Sequence, residues 1–276
     1  MNYRHAFHAG NFADLVKHAA LLEVLARMTG KAPPLTIVDT HAGAGLYDLA
    51  GGEAQRSGEA EAGIGRLLAA TDAPAPLAAL AKAVREANKG QGARHYPGSP
   101  WLIAQALRAR DRYLAFELRA EEHGALARIL RGKPGAETRC ADGFAAAPGA
   151  VPAKGPAFVL IDPPFERADD YGRIVQAVRA VLSRNRQAVL MIWLPLKDLT
   201  TFDGFLRDLE DAAGRVPVLV AEARLRPLSD PMKMNGCALA VVQPPNGLEA
   251  PLEAICGWVA ERLGENGAAA RIWTAS

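Results

Sequence analysis

The sequence predicts an α/β fold built on an open, mostly parallel sheet of seven strands. Three observations carry this expectation. Short apolar and β-branched runs alternate with longer segments of helical period. Successive runs end on an acid, at Asp39, Glu117 and Asp142, with Gly43, Gly45 or Gly143 close by at two of these ends. Strand ends of open α/β sheets are where such folds bind ligands. A further run, at residues 158–161, passes straight into Asp162-Pro163-Pro164-Phe165. Two prolines cannot extend a central strand, because they donate no backbone hydrogen bond and fix φ. The strand therefore ends in a stiff loop carrying a carboxylate, free carbonyls and an aromatic ring. By itself that loop also reads as a plain strand terminator with Asp162 as a local cap.

The 276 residues, half of them hydrophobic, suffice for one large α/β domain or a domain plus an insertion. No apolar run approaches the length of a membrane span, and the first residues lack the apolar region of a signal peptide. The expectation is a cytoplasmic protein with no membrane partner. Cys140, Cys237 and Cys256 are odd in number and far apart, which suits reduced thiols better than disulfides or zinc. His5 and His8 are three apart with no evident third ligand, so no metal is expected. The net charge of +2 permits a nucleic-acid partner without arguing for one.

In chain order, residues 1–10 read as an irregular arm. Asn11 can cap a helix over residues 12–28 that Gly30 ends. Within it, Lys17 reads by itself as solvated and His18 as a histidine at the core edge. Residues 35–40 form the first strand and run into the small-residue loop at 41–45, which lets backbone approach a ligand closely. The next strand, at 112–117, ends on Glu117, the place where nucleoside-binding folds hold ribose hydroxyls. The gap between them is far longer than usual, so something is inserted. Residues 48–95 are rich in Ala, Glu and Gly, with helical patterns at 60–68 and 77–88. They read as a small helical subdomain, leaving 1–47 and 96–276 as the core. The core resumes with Ser99 as an N-cap and Pro100 at the first helical position.

Beyond Glu117, the pattern gives a helix at 120–131 and a strand at 137–140. Asp142 follows, which alone reads as an ordinary Asx turn. The strand at 157–161 comes next, then a helix at 171–182, a strand at 187–193 and a helix at 202–213. Residues 216–224 and 237–242 read as an antiparallel pair, joined by a loop that carries Arg226, Lys233 and two methionines. Residues 250–263 are helical, and 270–273 are compatible with a further short strand.

Acids and glycines at three consecutive strand ends, followed by Asp-Pro-Pro-Phe at the fourth, resemble Rossmann-like class I methyltransferases that use S-adenosylmethionine. The segments NYRHAFHAGNFADLVKH, DTHAGAGLYDL, YPGSP, FE at 116–117, ADGF and DPPFE are similar to the bacterial 23S ribosomal RNA adenine-N6 methyltransferase family of the J type. They span residues 2–166. The N-terminal block together with DTHAGAG is specific, whereas DPPF is shared by many amino-group methylases. The resemblance implies cofactor contacts at Lys17, His18, His41, Gly43, Ser99, Glu117, Asp142, Gly143 and Asp162. It implies that Tyr3 lies near the substrate and that 23S rRNA is the partner. Phe165 stands where some members carry Tyr. A second proline pair, at Gln243-Pro244-Pro245-Asn246, lacks acid and aromatic and reads only as a strand end.

The residue types suit that chemistry. A purine's exocyclic amine is a poor nucleophile because its lone pair is delocalised into the ring. Asp162 and the Pro163 carbonyl supply two acceptors that turn the lone pair outward, and Asp162 can take the released proton. Phe165 can stack on the base. Neighbouring readings are guanine-N2 methylation, DNA adenine-N6 methylation, or a non-catalytic RNA-binding module that keeps the fold. The chain is expected to be a monomer.

Overall fold

The structure is a computed structural model that describes residues 7–30, 33–51, 57–90, 92–230 and 232–275. Helix α1 (Phe12–Thr29) starts at Asn11, whose side chain accepts from the Asp14 N–H, and stops at Gly30. Among the described residues, eight strands form one sheet: β1 (Thr36–Asp39), β4 (Arg112–Phe116), β5 (Ala136–Arg139), β6 (Ala157–Ile161), β7 (Val189–Leu196), β8 (Val218–Arg224), β9 (Gly236–Val242) and β10 (Ala269–Ala275). Their order is β10-β8-β9-β7-β6-β1-β4-β5. The five from β5 to β7 run parallel, and β9, β8 and β10 join by antiparallel pairings.

The expected seven strands are thus eight. The last, β10, pairs with β8 over Ala269 to Ala275 at the sheet edge. Its alanines and half-exposed alternation give a weak strand signal, which is why the pattern hinted at only a short segment.

Chain direction across the sheet reverses beside β1. The chain goes from β1 outward to β4 and β5, then returns to β6 and β7 on the other side. That reversal opens a crevice at the carboxyl ends of β1 and β6. The register brings Asp39 opposite Leu160, and the Thr40 N–H donates to the Leu160 carbonyl at 3.0 Å. The ends of the first strand and of the Asp-Pro-Pro-Phe strand therefore lie side by side.

All five residues of β6 are buried, as parallel strands covered on both faces must be. Phe158 and Leu160 face the core layer that includes α1 and α9 (Glu249–Leu263). Val159 and Ile161 face the layer of α6 (Gly143–Ala150), α7 (Asp170–Arg184) and α8 (Leu199–Ala213). Helix α6 is absent from the sequence pattern because Pro148 and Gly149 punctuate it.

Between β1 and β4 lie a π-helical turn (Glu61–Gly65), α2 (Arg66–Ala69) and α3 (Ala75–Ala87). They are flanked by β2 (Leu46–Asp48) and β3 (His95–Pro97), which pair antiparallel, Tyr47 opposite Tyr96. These helices bury Ile64, Leu67, Leu77, Leu80 and Val84 in the same core as Leu15 and Leu21 of α1. Helix α4 (Ser99–Ala106) and α5 (Ala120–Ile129) complete the chain order.

Candidate functional site

A cavity of about 440 Å³ opens at the carboxyl ends of the parallel strands. On its β1 side, Asp39 is fully buried. Its Oδ2 accepts from the Ser99 hydroxyl at 2.8 Å and the Tyr113 hydroxyl at 3.2 Å. Burial pushes its carboxyl up to about 7. Helix α4 begins at Ser99 with Gly98 as its N-cap, so the expectation that Ser99 itself caps is corrected. The nearby carboxylate takes the hydroxyl instead, and with it ties α4 back to β1 across the whole intervening segment.

The loop after β1 turns through Gly43 at φ +62°, where a Cβ would stand 2.2 Å from the Tyr47 hydroxyl. The Gly43 N–H donates to Glu117 Oε2 at 2.9 Å, and the Arg119 N–H to Oε1 at 2.7 Å. Each oxygen keeps further acceptor capacity, so Glu117 can still bind a pair of hydroxyls. His41 meets the Phe144 ring edge-on, with centroids 4.6 Å apart. Burial pushes its imidazole down to about 4, so it is neutral at pH 7.

Asp142 caps α6 through a 3.0 Å hydrogen bond from the Phe144 N–H. Its other oxygen pairs with Arg173 of α7, whose guanidinium lies 4.6 Å from the Phe144 ring centre. Burial works against ionisation of Asp142, but Arg173 and the α6 N–H groups hold its carboxyl below the ordinary value. Gly143 sits behind the cavity wall. A Cβ there would stand 2.0 Å from the Thr40 carbonyl, so glycine lets the start of α6 pack on the β1 loop.

The β6 side of the cavity is built on Asp162. Lys17 of α1 is only 4% exposed and donates to Asp162 Oδ2 at 2.6 Å, and it also pairs with Asp14 at 2.9 Å. The reading of Lys17 as a solvated lysine is therefore corrected: helix α1 points it inward because two carboxylates compensate its burial. Desolvation pulls its ammonium down, but Asp14 and Asp162 outweigh this and raise it well above the ordinary value. His18 is buried, with Nδ1 2.8 Å from the Tyr96 hydroxyl. Phe165 adopts φ +50°, a strained conformation for an aromatic residue, and is held by Tyr171 and Trp193 at centroid distances of 5.0 and 5.8 Å.

The cavity thus brings together Lys17, His18, His41, Gly43, Ser99, Glu117, Asp142, Asp162, Pro163 and Phe165. Tyr3 and His5 lie outside the described residues. Sequence reasoning missed Asp14, Glu59, Arg173 and Trp193, which also line it. Among the described residues, no helix is long and apolar enough to cross a membrane.

The strand order, the carboxylate at the end of β4, the helix-capping acid after β5 and the Asp-Pro-Pro-Phe loop at the end of β6 define a class I S-adenosylmethionine-dependent methyltransferase. The donor set fits that cofactor. Glu117 can bind ribose hydroxyls, the Gly43 turn admits close backbone approach, and Asp162 lines the same cavity at the end of β6. The family described as "Ribosomal RNA large subunit methyltransferase D, RlmJ" matches residues 32–275, and the chain belongs to it. A relative from Haemophilus influenzae, named ribosomal RNA large subunit methyltransferase J, is 33% identical over 99% of this chain and 97% of its own. An Escherichia coli relative of the same name is 32% identical over 95% and 94%. A crystal structure of a Legionella pneumophila protein superposes with a TM-score of 0.88 at 25% identity, covering 98% of this chain and 99% of that one.

Proposed function

We propose that this enzyme methylates N6 of one adenine in 23S ribosomal RNA, as a cytoplasmic monomer. The observation that carries the reading is the ordered Asp162 carboxylate. Lys17 occupies Oδ2, and Oδ1 has no hydrogen bond among the described residues, so it is left for an amine proton. The Pro163 carbonyl offers a second acceptor on the same stiff loop. Together they hold both amine protons in place and turn the nitrogen lone pair out of conjugation. Oδ1 then takes the proton released on transfer. Lys17, kept protonated by its two carboxylates, orients Asp162 and is not the base.

Phe165, backed by Tyr171 and Trp193, supplies a ring for the target base, worth about 1–3 kcal/mol of stacking. A paired adenine must first leave its helix. S-Adenosylmethionine, held by Glu117, Asp142, Ser99 and the 41–45 loop, supplies a methyl group on a cationic sulfonium. His18, His41 and Gly143 support that cradle from behind or beside it, and Tyr3 with the N-terminal arm holds flanking RNA. Residues 48–95 are assigned as an inserted helical subdomain, with 1–47 and 96–276 as the catalytic core. The test is incubation with methyl-labelled cofactor and protein-free 23S rRNA, followed by nucleoside digestion. Labelled N6-methyladenosine is expected; no label, or label in N2-methylguanosine, overturns the proposal.

A further inference from the structure

The segment inserted after β2 does more than pack against α1: it places a carboxylate at the rim of the catalytic cavity. Glu59 accepts from the Asn11 side-chain amide at 2.9 Å, and both its oxygens lie 3.0 Å from His8 Nδ1. This pairing holds the His8 imidazole above its ordinary value through its hydrogen bond to Glu59, against the effect of burial. The backbone locks the same junction. The Ile64 N–H donates to the Gly10 carbonyl at 2.8 Å. A Cβ at Gly63 would stand 2.2 Å from that carbonyl oxygen, and a Cβ at Gly10, at φ +79°, would stand 2.8 Å from Ile64. Two glycines facing each other let the π-helical turn seat directly on the entrance to α1.

From that junction a continuous line of hydrogen bonds reaches the acceptor carboxylate. Asn11 holds Glu59 with its amide nitrogen and accepts from the Asp14 N–H, at 3.0 Å, with its oxygen. Asp14 also accepts from the Gly10 N–H at 2.9 Å and pairs with Lys17, which in turn holds Asp162 at 2.6 Å. Asn11, Asp14 and Lys17 are all buried. A shift at Glu59 is therefore felt by groups with little room to relax independently.

We propose that Glu59 is a positioning residue for the methyl transfer, setting the orientation of Asp162 through Asn11, Asp14 and Lys17. The inserted segment then tunes the chemical step and is not only a cover or an RNA contact. This rests on the acceptor role assigned to Asp162 above.

Steady-state kinetics with 23S rRNA test it on three single variants of the full chain and on the double variant of Glu59→Ala with Asn11→Ser. Glu59→Ala is expected to lower kcat about 3- to 30-fold, the range of coupling carried by such networks. KM values for RNA and cofactor should stay within about twofold, as for loss of an interaction used only in the transition state. Glu59→Gln, which keeps an acceptor for Asn11, should recover most of kcat. Asn11→Ser keeps a good helix cap but removes the amide nitrogen that donates to Glu59. It should reproduce the Glu59→Ala loss, and the double variant should be no slower than either single one. Unchanged kcat in Glu59→Ala, a loss confined to the RNA KM, or additive losses in the double variant would overturn the proposal. Should Glu59→Ala fail to fold, Asn11→Ser decides alone, by loss or retention of kcat. Absence of product from the wild-type protein run alongside would instead reject the rRNA-methylating function itself.

Discussion

Lys17 and Asp162 are 145 positions apart in sequence and 2.6 Å apart in space, joining the first helix to the loop after β6. Asp14 completes the arrangement from the turn before Lys17. Replacing Lys17 with Met would leave Asp14, 3% exposed in its side chain, without its cation. Breaking one side of a buried ion pair costs about 3–5 kcal/mol. Lys17→Met should therefore melt at a markedly lower temperature than the wild type. Calorimetry checks this, and an unchanged melting temperature would show that the pair is dispensable to the fold.

Asp39 gives a pH signature. Its folded value, about 7, lies above the ordinary 3.8. Between those values the folded state keeps a proton that the unfolded state has lost. The stability tied to this site is complete below the ordinary value and declines as pH rises toward 7. Asp39→Asn removes the titration but keeps an acceptor for Ser99 and Tyr113. Thermal melts from pH 4 to 7 should show the variant gaining on the wild type as pH rises. Parallel curves would contradict the assignment.

His41 titrates in the opposite sense. Burial lowers its imidazole to about 4, so it stays neutral across the physiological range. In an NMR titration of the ring protons, His41 should not move between pH 5.5 and 8. A midpoint near the ordinary 6.5 would place the ring in solvent instead.

Much of this site was legible because its signals are local. An acid or glycine directly after a buried run marks a strand end whatever the rest of the chain does, so Asp39, Glu117, Asp142 and Asp162 stood out. The partners that set their behaviour were not legible, because they arrive by tertiary approach. Arg173 sits on a helix face that any solvated arginine could occupy, and only the α6–α7 packing puts it on Asp142. Lys17 read as solvated for the same reason. Glu59 is one glutamate in a Glu-rich segment until the Gly10–Gly63 contact seats it on Asn11. The β2–β3 pair was missed because it is three residues long on each side and ends in Pro97. In α6, Pro148 hid the helix.

The aromatic pocket yields a graded expectation. Phe165→Ala removes the ring that Tyr171 and Trp193 support. Loss of one stacked base costs about 1–3 kcal/mol, so the RNA KM should rise about 5- to 150-fold with cofactor affinity intact. Phe165→Tyr keeps the stacking face and should remain close to wild type. Equal loss in both variants would show that the backbone strain at this position matters more than the ring.

Asp162 is assigned the amine activation on adenine. The most direct measurement is single-turnover methylation of protein-free 23S rRNA at saturating cofactor, comparing wild type with Asp162→Asn, with the modified nucleoside identified by mass. N6-methyladenosine is expected from the wild type, and a rate about 10²- to 10⁴-fold lower from the variant, the range for loss of a positioned proton acceptor. A variant that methylates at the wild-type rate, or a wild type that marks a nucleoside other than adenosine, would contradict that assignment.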